Sequence, residues 1–169
     1  MSVQSRISAK AETPASRSDA IVVSFDNTWY GPLHRRGFSA IIRKRVPTSF
    51  QPSWIYFHIN SPKSAICARA SLKSIECLDL KSVIKIENLL DLSRDEITKY
   101  VGPSGFIGVY QLEKIELALV EVSLNKLAEH LIYNPPQSFF SLSEPAKIII
   151  DQLCGFRAHG SSHRLEKRG

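Results

Sequence analysis

An apolar run that ends in three consecutive cations constrains this chain more than any other feature. The run reads Phe-Ser-Ala-Ile-Ile, and Arg43, Lys44 and Arg45 follow it directly, before a Val-Pro pair. We interpret residues 38–45 as a β-strand, because the segment is short, apolar and bounded by a glycine and a proline. Successive strand residues point to opposite faces, so Arg43 and Arg45 are expected on one face and Lys44 on the other. The strand is predicted to form the floor of an anion-binding groove.

The charges of the chain are distributed unevenly. Residues 27–75 contain eight Lys or Arg and no Asp or Glu, whereas residues 76–154 contain seven bases and twelve acids. The formal net charge of +6 therefore comes from the first half of the chain and from its C-terminal end. Such a surface favours a polyanionic partner, and a solvated basic face without a function is the alternative.

Length and composition point to one folded domain. A chain of 169 residues with 43% hydrophobic content can bury a core of ordinary size. We predict the domain at residues 20–155, between a flexible tail of residues 1–19 and a flexible basic tail of residues 156–169. The three cysteines show no metal-ligand spacing, so neither a metal nor a cofactor is expected. No apolar run of about 18 residues predicts a membrane span, and unpaired cysteines suit a cytoplasmic protein.

Short strands and short helices follow one another without regular alternation. In Ser93-Arg94-Asp95-Glu96, the spacing of Ser and Glu is typical of a capping box. Gly108 is a candidate β-bulge in a segment that forms either one bent strand or two adjacent ones. The pattern favours an α+β fold with five or six strands, a small barrel and short flanking helices. Strands are predicted at residues 21–25, 38–45, 54–59, 65–78 and 105–124, and helices at residues 28–36, 83–90, 94–100, 124–131 and 144–153.

Four segments, taken in order, carry a family resemblance. They are the opening strand at residues 21–25, the stretch 37–45, the segment 56–62 with the strand that follows it, and the loop Pro-Pro-Gln-Ser-Phe at residues 135–139. Together they resemble the ASCH family of the PUA-like superfamily over about residues 20–155. The resemblance implies a pseudo-β-barrel with a cleft at one end, and binding of RNA or nucleotides. Some members of the family are amidohydrolases on acylated cytidine, or ribonucleases.

The chain departs from the catalytic members of that family at two positions. Ser39 stands where those members have a Lys, and Ile42 stands where they have a Glu. An amidohydrolase of this kind needs a base and a cation within reach of one carbonyl group, and this pair cannot supply them. Whether the protein is an enzyme is therefore left open.

The leading hypothesis is a domain that binds RNA or another nucleic acid, with regulation as one use of that binding. The planar guanidinium group of Arg matches the geometry of phosphate oxygens. The alternative is that these charges protect an exposed edge strand from aggregation. Tyr side chains at the solvent-exposed edge of the barrel are suited to stack on bases, and so are Trp29 and Trp54. The alternative is that these aromatic residues fill the interior of a small barrel, as they more often do. A polar loop stiffened by two prolines is suited to hydrogen-bond base edges. The predicted binding residues are Tyr30, Arg35, Arg36, Arg43, Lys44, Arg45, Tyr56, Ser61, Gln137 and Ser138.

Two other classes of function stay open at this point. The first is a ribonuclease or nucleoside hydrolase with an acid/base site drawn from His58, Tyr56, Lys63 and Ser138. A buried, hydrogen-bonded histidine is the simpler interpretation of His58. The second is a protein-interaction module whose basic surface meets an acidic partner. The sequence predicts no oligomeric state.

Overall fold

The computed structural model describes residues 17–157 and shows one mixed β-sheet with short helices around it. Its strands are β1 (Arg17–Phe25), β2 (Ala40–Arg43), β3 (Trp54–Ile59), β4 (Ala65–Asp79), β5 (Phe106–Ser123) and β6 (Phe139–Ser143). Its helices are α1 (Tyr30–Arg35), α2 (Leu80–Ile84), α3 (Arg94–Val101), α4 (Leu124–Ala128) and α5 (Glu144–Cys154), and single 3₁₀ turns span Asn27–Trp29, Glu87–Leu89 and Gly102–Ser104.

The sheet order is β2-β5-β4-β3-β1-β6, and β1 and β3 are the parallel pair. The predicted α+β class with up to six strands is confirmed. The predicted barrel is not closed, because no hydrogen-bonded pairing joins the edge strands β2 and β6 within residues 17–157. The sheet is nevertheless strongly curved. Arg43 at the end of β2 donates to the carbonyl oxygen of Ser24 on β1, although three strands lie between β2 and β1.

β2 is shorter than predicted, so Lys44 and Arg45 lie beyond its end. The ladder to β5 ends where Arg43 pairs with Gly108. Beyond that point Tyr110 Oη donates to the carbonyl oxygen of Arg45 at 2.6 Å, so this part of the chain follows a side-chain contact instead of the ladder. Strand alternation therefore does not extend to Lys44 and Arg45, and the predicted division of the three cations between two faces is wrong.

β5 is one continuous strand of 18 residues. Gly108 pairs in register with Arg43 on one side and with Cys77 on the other, so the predicted bulge at this glycine is wrong. A Cβ atom at position 108 would lie 2.9 Å from the carbonyl oxygen of Arg43 and would collide with a methyl group of Val46. The glycine therefore serves close packing of the segment after β2 against β5.

Three apolar clusters hold the elements together. One lies under α1, where Phe25, Phe38 and Phe57 pack with the aliphatic side chains of β1 to β5. The second joins the opposite face of β1, β3 and β4 to α4 and α5. The third fills the space between α2, α3 and the far end of the β4–β5 pair.

The helix ends follow the predicted capping chemistry. Ser93 and Glu96 form the predicted capping box at the start of α3, and Ser143 and Gly155 cap the two ends of α5. β1 begins at Arg17, inside the segment predicted as a tail, and Phe156 is buried although it was predicted to begin the second tail. Residues 1–16 and 158–169 lie outside the described residues. Within 17–157 no helix combines the length and apolarity needed to cross a bilayer.

Candidate functional site

The three consecutive cations and the proline-rich loop meet at one depression, here called the cationic groove. β6 runs antiparallel to β1, with Phe139 opposite Val23, and this pairing brings the loop before β6 to the end of β1. The groove has a volume of about 410 Å³ and is lined by Arg43, Lys44, Arg45, Tyr100, Gln137 and Ser138. Five of the predicted binding residues, from two distant parts of the sequence, are therefore neighbours in space.

Arg43 forms the inner wall of this groove. Its guanidinium group donates to the carbonyl oxygen of Ser24 and lies over the Phe25 ring, with Cζ 4.1 Å from the ring centroid. Burial lowers the pKa of Arg43, and Tyr100 opposes this shift. The Nε atom of Arg43 is buried and has no hydrogen-bond partner. Arg43 therefore supports the wall and retains one unused donor.

Lys44 and Arg45 are the solvent-facing cations of the groove. Both side chains are exposed, and neither forms an ion pair with any of residues 17–157. Lys44 Nζ lies 5.5 Å from the centroid of the Tyr100 ring. Tyr110 fixes the backbone at Arg45. The backbone is thus held in place while the two charged groups remain available to an anion.

The proline-rich loop is anchored from below by a buried pair. His58 Nδ1 and Tyr133 Oη are hydrogen-bonded at 3.0 Å, and both residues are buried. Burial lowers the pKa of His58 to about 4, so the ring is neutral near pH 7.

Beyond Arg45, a second depression of about 510 Å³ continues over residues 134–140. The cationic groove is therefore extended along the loop.

A smaller apolar pocket opens on the other side of Arg43 and Tyr100. It has a volume of about 190 Å³ and shares these two residues with the cationic groove. Glu96 stands at its rim, where its carboxylate accepts a hydrogen bond from the Ser93 backbone and has a lowered pKa for that reason. The remaining lining residues are Phe25, Trp29, Ile41, Ile42 and Leu92.

Sequence reasoning missed Tyr100 and Leu92. Both belong to the acid-rich half of the chain, and no local motif around α3 distinguishes them from ordinary core residues of that helix. Only the packing of α3 against the end of β2 brings them to the site. Trp29, in contrast, was a stacking candidate, and it lines the apolar pocket.

Several predicted binding residues lie outside the groove. Arg35 and Arg36 end α1, and Arg36 lines a different cavity. Tyr30 donates to Glu121 at 2.7 Å, and Ser61 lies exposed between β3 and β4. Tyr56 is 0% exposed and donates to Asp151, so the prediction that it faces solvent is wrong. It falls on the face of β3 that packs against α5.

The four catalytic candidates do not form one site. His58 is bonded to Tyr133, Tyr56 to Asp151, and Lys63 to Glu121, whereas Ser138 lines the cationic groove. Tyr56 and His58 share one face of β3, where Tyr56 belongs to the second apolar cluster and His58 bonds Tyr133 of that cluster, so both are held in the interior. Within residues 17–157 no group of three or more His, Cys, Asp or Glu is placed to hold a metal ion.

Two cations that the sequence left without acidic neighbours are neutralised in the fold. Arg69 is 1% exposed, and its guanidinium group contacts Glu116 at 3.0 Å and Asp151 at 3.2 Å. Lys63 pairs with Glu121. All three acids come from the second half of the chain. The acid-free stretch therefore does not produce one continuous cationic face, and its unpaired charge at the groove is concentrated at Lys44 and Arg45.

Comparison with known proteins identifies the fold. No family model matches the sequence, and no curated protein matches it either. The crystal structure of ASCH from Zymomonas mobilis matches with a TM-score of 0.73 at 18% identity, covering 80% of this chain and 95% of that chain. Two substituted forms of that protein match with TM-scores of 0.72 and 0.73 at 18% and 17% identity, covering 80% and 82% of this chain and 98% of theirs. The predicted resemblance is confirmed for the fold, and the chain has the fold of the ASCH proteins.

Proposed function

We propose that this protein binds single-stranded nucleic acid, RNA in the first place, in the cationic groove. The observation that carries the proposal is the juxtaposition of two unpaired, exposed cations with the polar loop of Gln137 and Ser138. Lys44 and Arg45 contact phosphates, which supplies most of the affinity. Gln137 and Ser138 provide donors and acceptors at the opposite wall for sugars or base edges.

The apolar pocket adds a place for one base beside those phosphates. A volume of about 190 Å³ is below the range of roughly 300–1,000 Å³ typical of pockets for drug-sized ligands, so the occupant is a single ring system. Trp29 and Tyr100 offer aromatic surface on which a base can stack. A base in the pocket and its phosphate in the groove would both border Arg43.

A single strand suits this arrangement better than a duplex. Bases within a duplex are stacked and paired, so one of them enters a pocket only if it is first unstacked, whereas a single strand presents its bases freely. Binding also suits the site better than hydrolysis. Ser39 and Ile42 replace the catalytic pair of the resembled enzymes, and the acid/base candidates are dispersed over the molecule.

The proposal is tested by fluorescence anisotropy with a short labelled single-stranded RNA at about 50 mM salt. We expect binding at micromolar protein, and a loss of more than about tenfold in the double variant Lys44→Glu/Arg45→Glu. The matched control is Lys73→Glu/Lys81→Glu, which makes the same change of net charge at exposed positions outside the groove. Absence of binding by the wild type, or equal losses in both double variants, would contradict the proposal.

The base pocket is tested separately by filling it. Leu92 lines the pocket, whereas Leu89 is half-buried in the same apolar cluster but does not line it. We expect Leu92→Trp to weaken binding of an intact oligonucleotide, and Leu89→Trp to leave it unchanged. An oligonucleotide without bases should bind both variants alike. If Leu92→Trp binds the intact strand as the wild type does, the base lies elsewhere.

A further inference from the structure

The β4–β5 pair contains a large irregularity that the cationic groove does not use. Ile66 pairs with Val122, and Ala68 pairs with Leu117. Between these two pairs β4 has one residue, number 67, and β5 has four, numbers 118–121. The extra residues form an outward bulge that exposes Leu119 by 84% and Val120 by 59%. Bulges commonly serve to redirect side chains, and this one presents two aliphatic groups to solvent.

The bulge is held firmly at both ends. At one end Glu121 accepts a hydrogen bond from Tyr30 at 2.7 Å and pairs with Lys63. At the other end Leu119 rests against the backbone of Gly155, where a Cβ atom would lie 3.1 Å from the Cβ atom of Leu119. The bulge is therefore tied to neighbouring elements through Glu121 and Leu119, which limits how far its backbone must be ordered on binding.

A cavity of about 550 Å³, here called the β5 groove, lies beside the bulge. Its apolar floor consists of Ile115, Leu117, Leu119 and Phe156. Glu116 also lines the cavity, and its charge is paired with Arg69. Its rim carries Arg36, Lys114 and Arg157. None of these three cations forms an ion pair with another residue in the described range 17–157.

We infer that the β5 groove and the bulge bind an acidic segment of a protein partner that carries an aliphatic side chain between its Asp or Glu residues. An apolar centre with a charged rim is the usual plan of a protein interface. The three unpaired cations of the rim select acidic residues. The floor is mainly aliphatic, and its aromatic residue Phe156 is only 8% exposed, whereas sites for single-stranded nucleic acid are built on exposed aromatic platforms. The β5 groove shares no lining residue with the cationic groove, so the two surfaces are independent.

The inference is tested by selection from a phage-displayed library of random peptides against the full-length protein. We expect the selected peptides to combine acidic residues with a Leu, Ile or Met. As synthetic peptides, they should bind Leu119→Ser and Arg157→Glu at least about tenfold more weakly than the wild type. The matched control is Ile148→Ser, which removes an aliphatic side chain that is 52% exposed on α5 and outside the β5 groove. It should bind the peptides as the wild type does.

Three outcomes would overturn the inference. The first is a selection without enrichment of acidic peptides, or peptides that bind Leu119→Ser and the wild type equally. The second is a loss of RNA affinity in Arg157→Glu and Leu119→Ser with no effect on peptides, which would make the surface part of the nucleic-acid site. The third is a dimer in sedimentation experiments that Leu119→Ser dissociates, which would make a second copy of this chain the occupant.

Discussion

At the scale of single residues, the site depends on which polar groups already have partners. Arg43 is held by Ser24 and the Phe25 ring, whereas Lys44 and Arg45 are exposed and form no ion pair within residues 17–157. The sequence predicted all three cations as binding residues, because the burial of adjacent bases cannot be seen in the sequence. The buried neutral His58 below the loop is the residue whose state depends most clearly on pH.

We predict that His58 makes the protein less stable as the pH falls from about 6.5 to about 4. The pKa of His58 is lowered to about 4 in the folded protein by burial, from an ordinary value of 6.5. The unfolded chain therefore binds the proton first, which favours unfolding through this window and not above it. The lost free energy of unfolding is at most about 3 kcal/mol. Urea denaturation across this pH range would measure it.

The control for that prediction is His58→Gln, which keeps a polar group beside Tyr133 and removes the titrating ring. Its free energy of unfolding should be lower at pH 7 and should fall less between pH 6.5 and pH 4. Parallel curves for the variant and the wild type would show that another group governs the acid sensitivity.

At the scale of elements, the site lies where β2 leaves its ladder. Gly108 allows the segment after β2 to pack on β5, and Tyr110 holds the carbonyl oxygen of Arg45. The sequence pattern predicted this strand but did not predict that it ends at Arg43. Strand length was set by tertiary packing against a glycine that lies far away in sequence, and no local signal records such a contact.

Gly108→Ala should displace the two groove cations. The new methyl group meets the Val46 side chain and the carbonyl oxygen of Arg43, so we expect a loss of about 1–3 kcal/mol in the free energy of unfolding. RNA affinity should fall with it, because Lys44 and Arg45 move. The change is measured by urea denaturation and anisotropy titration, and Val46→Ala in the same chain should restore part of both. An unchanged affinity in Gly108→Ala would show that this packing does not set the groove.

The other elements differ in how far the sequence predicts them. One capping box and the apolar runs predicted five of the six strands and the extents of α3 and α5, because these signals are local. β6 was missed, because it lies in the segment that was interpreted as part of the proline-rich loop and its surroundings. The proline-rich loop was identified through a family resemblance and does line the groove. Tyr100 was missed because it reaches the site only through the packing of a helix from the acidic half.

At the scale of the whole molecule, Arg69 joins distant parts of the chain. It lies on β4, contacts Glu116 on β5 and Asp151 on α5, and donates to the carbonyl oxygen of Arg157 at 2.6 Å. Its guanidinium carbon lies 4.5 Å from the centroid of the Trp54 ring and 4.8 Å from that of Phe156. A residue that sequence reasoning counted as surface charge is thus part of the core.

Arg69→Ala should therefore destabilise the protein without removing a lining residue of the cationic groove. Removing one partner of a buried ion pair leaves its carboxylates uncompensated, which typically costs about 3–5 kcal/mol. Because a loss of this size can prevent folding, Asp151→Asn serves as the milder change, with an expected loss of about 1–3 kcal/mol. Arg94→Ala breaks an exposed pair with Glu87 and should cost less than about 1 kcal/mol. Thermal unfolding ranks the three, and a ranking with Arg94→Ala as the most damaging would contradict the structure.

The salt dependence of RNA binding tests the central claim most directly. For the wild type, the logarithm of the association constant for RNA should fall linearly with the logarithm of the salt concentration between about 50 and 200 mM. Each phosphate contact on a single strand contributes roughly 0.7 to that slope, so Lys44→Ala/Arg45→Ala should reduce its magnitude by about 1.4. If the double variant keeps the slope of the wild type, or if wild-type affinity does not change with salt, Lys44 and Arg45 do not contact phosphates and the cationic groove is not the nucleic-acid site.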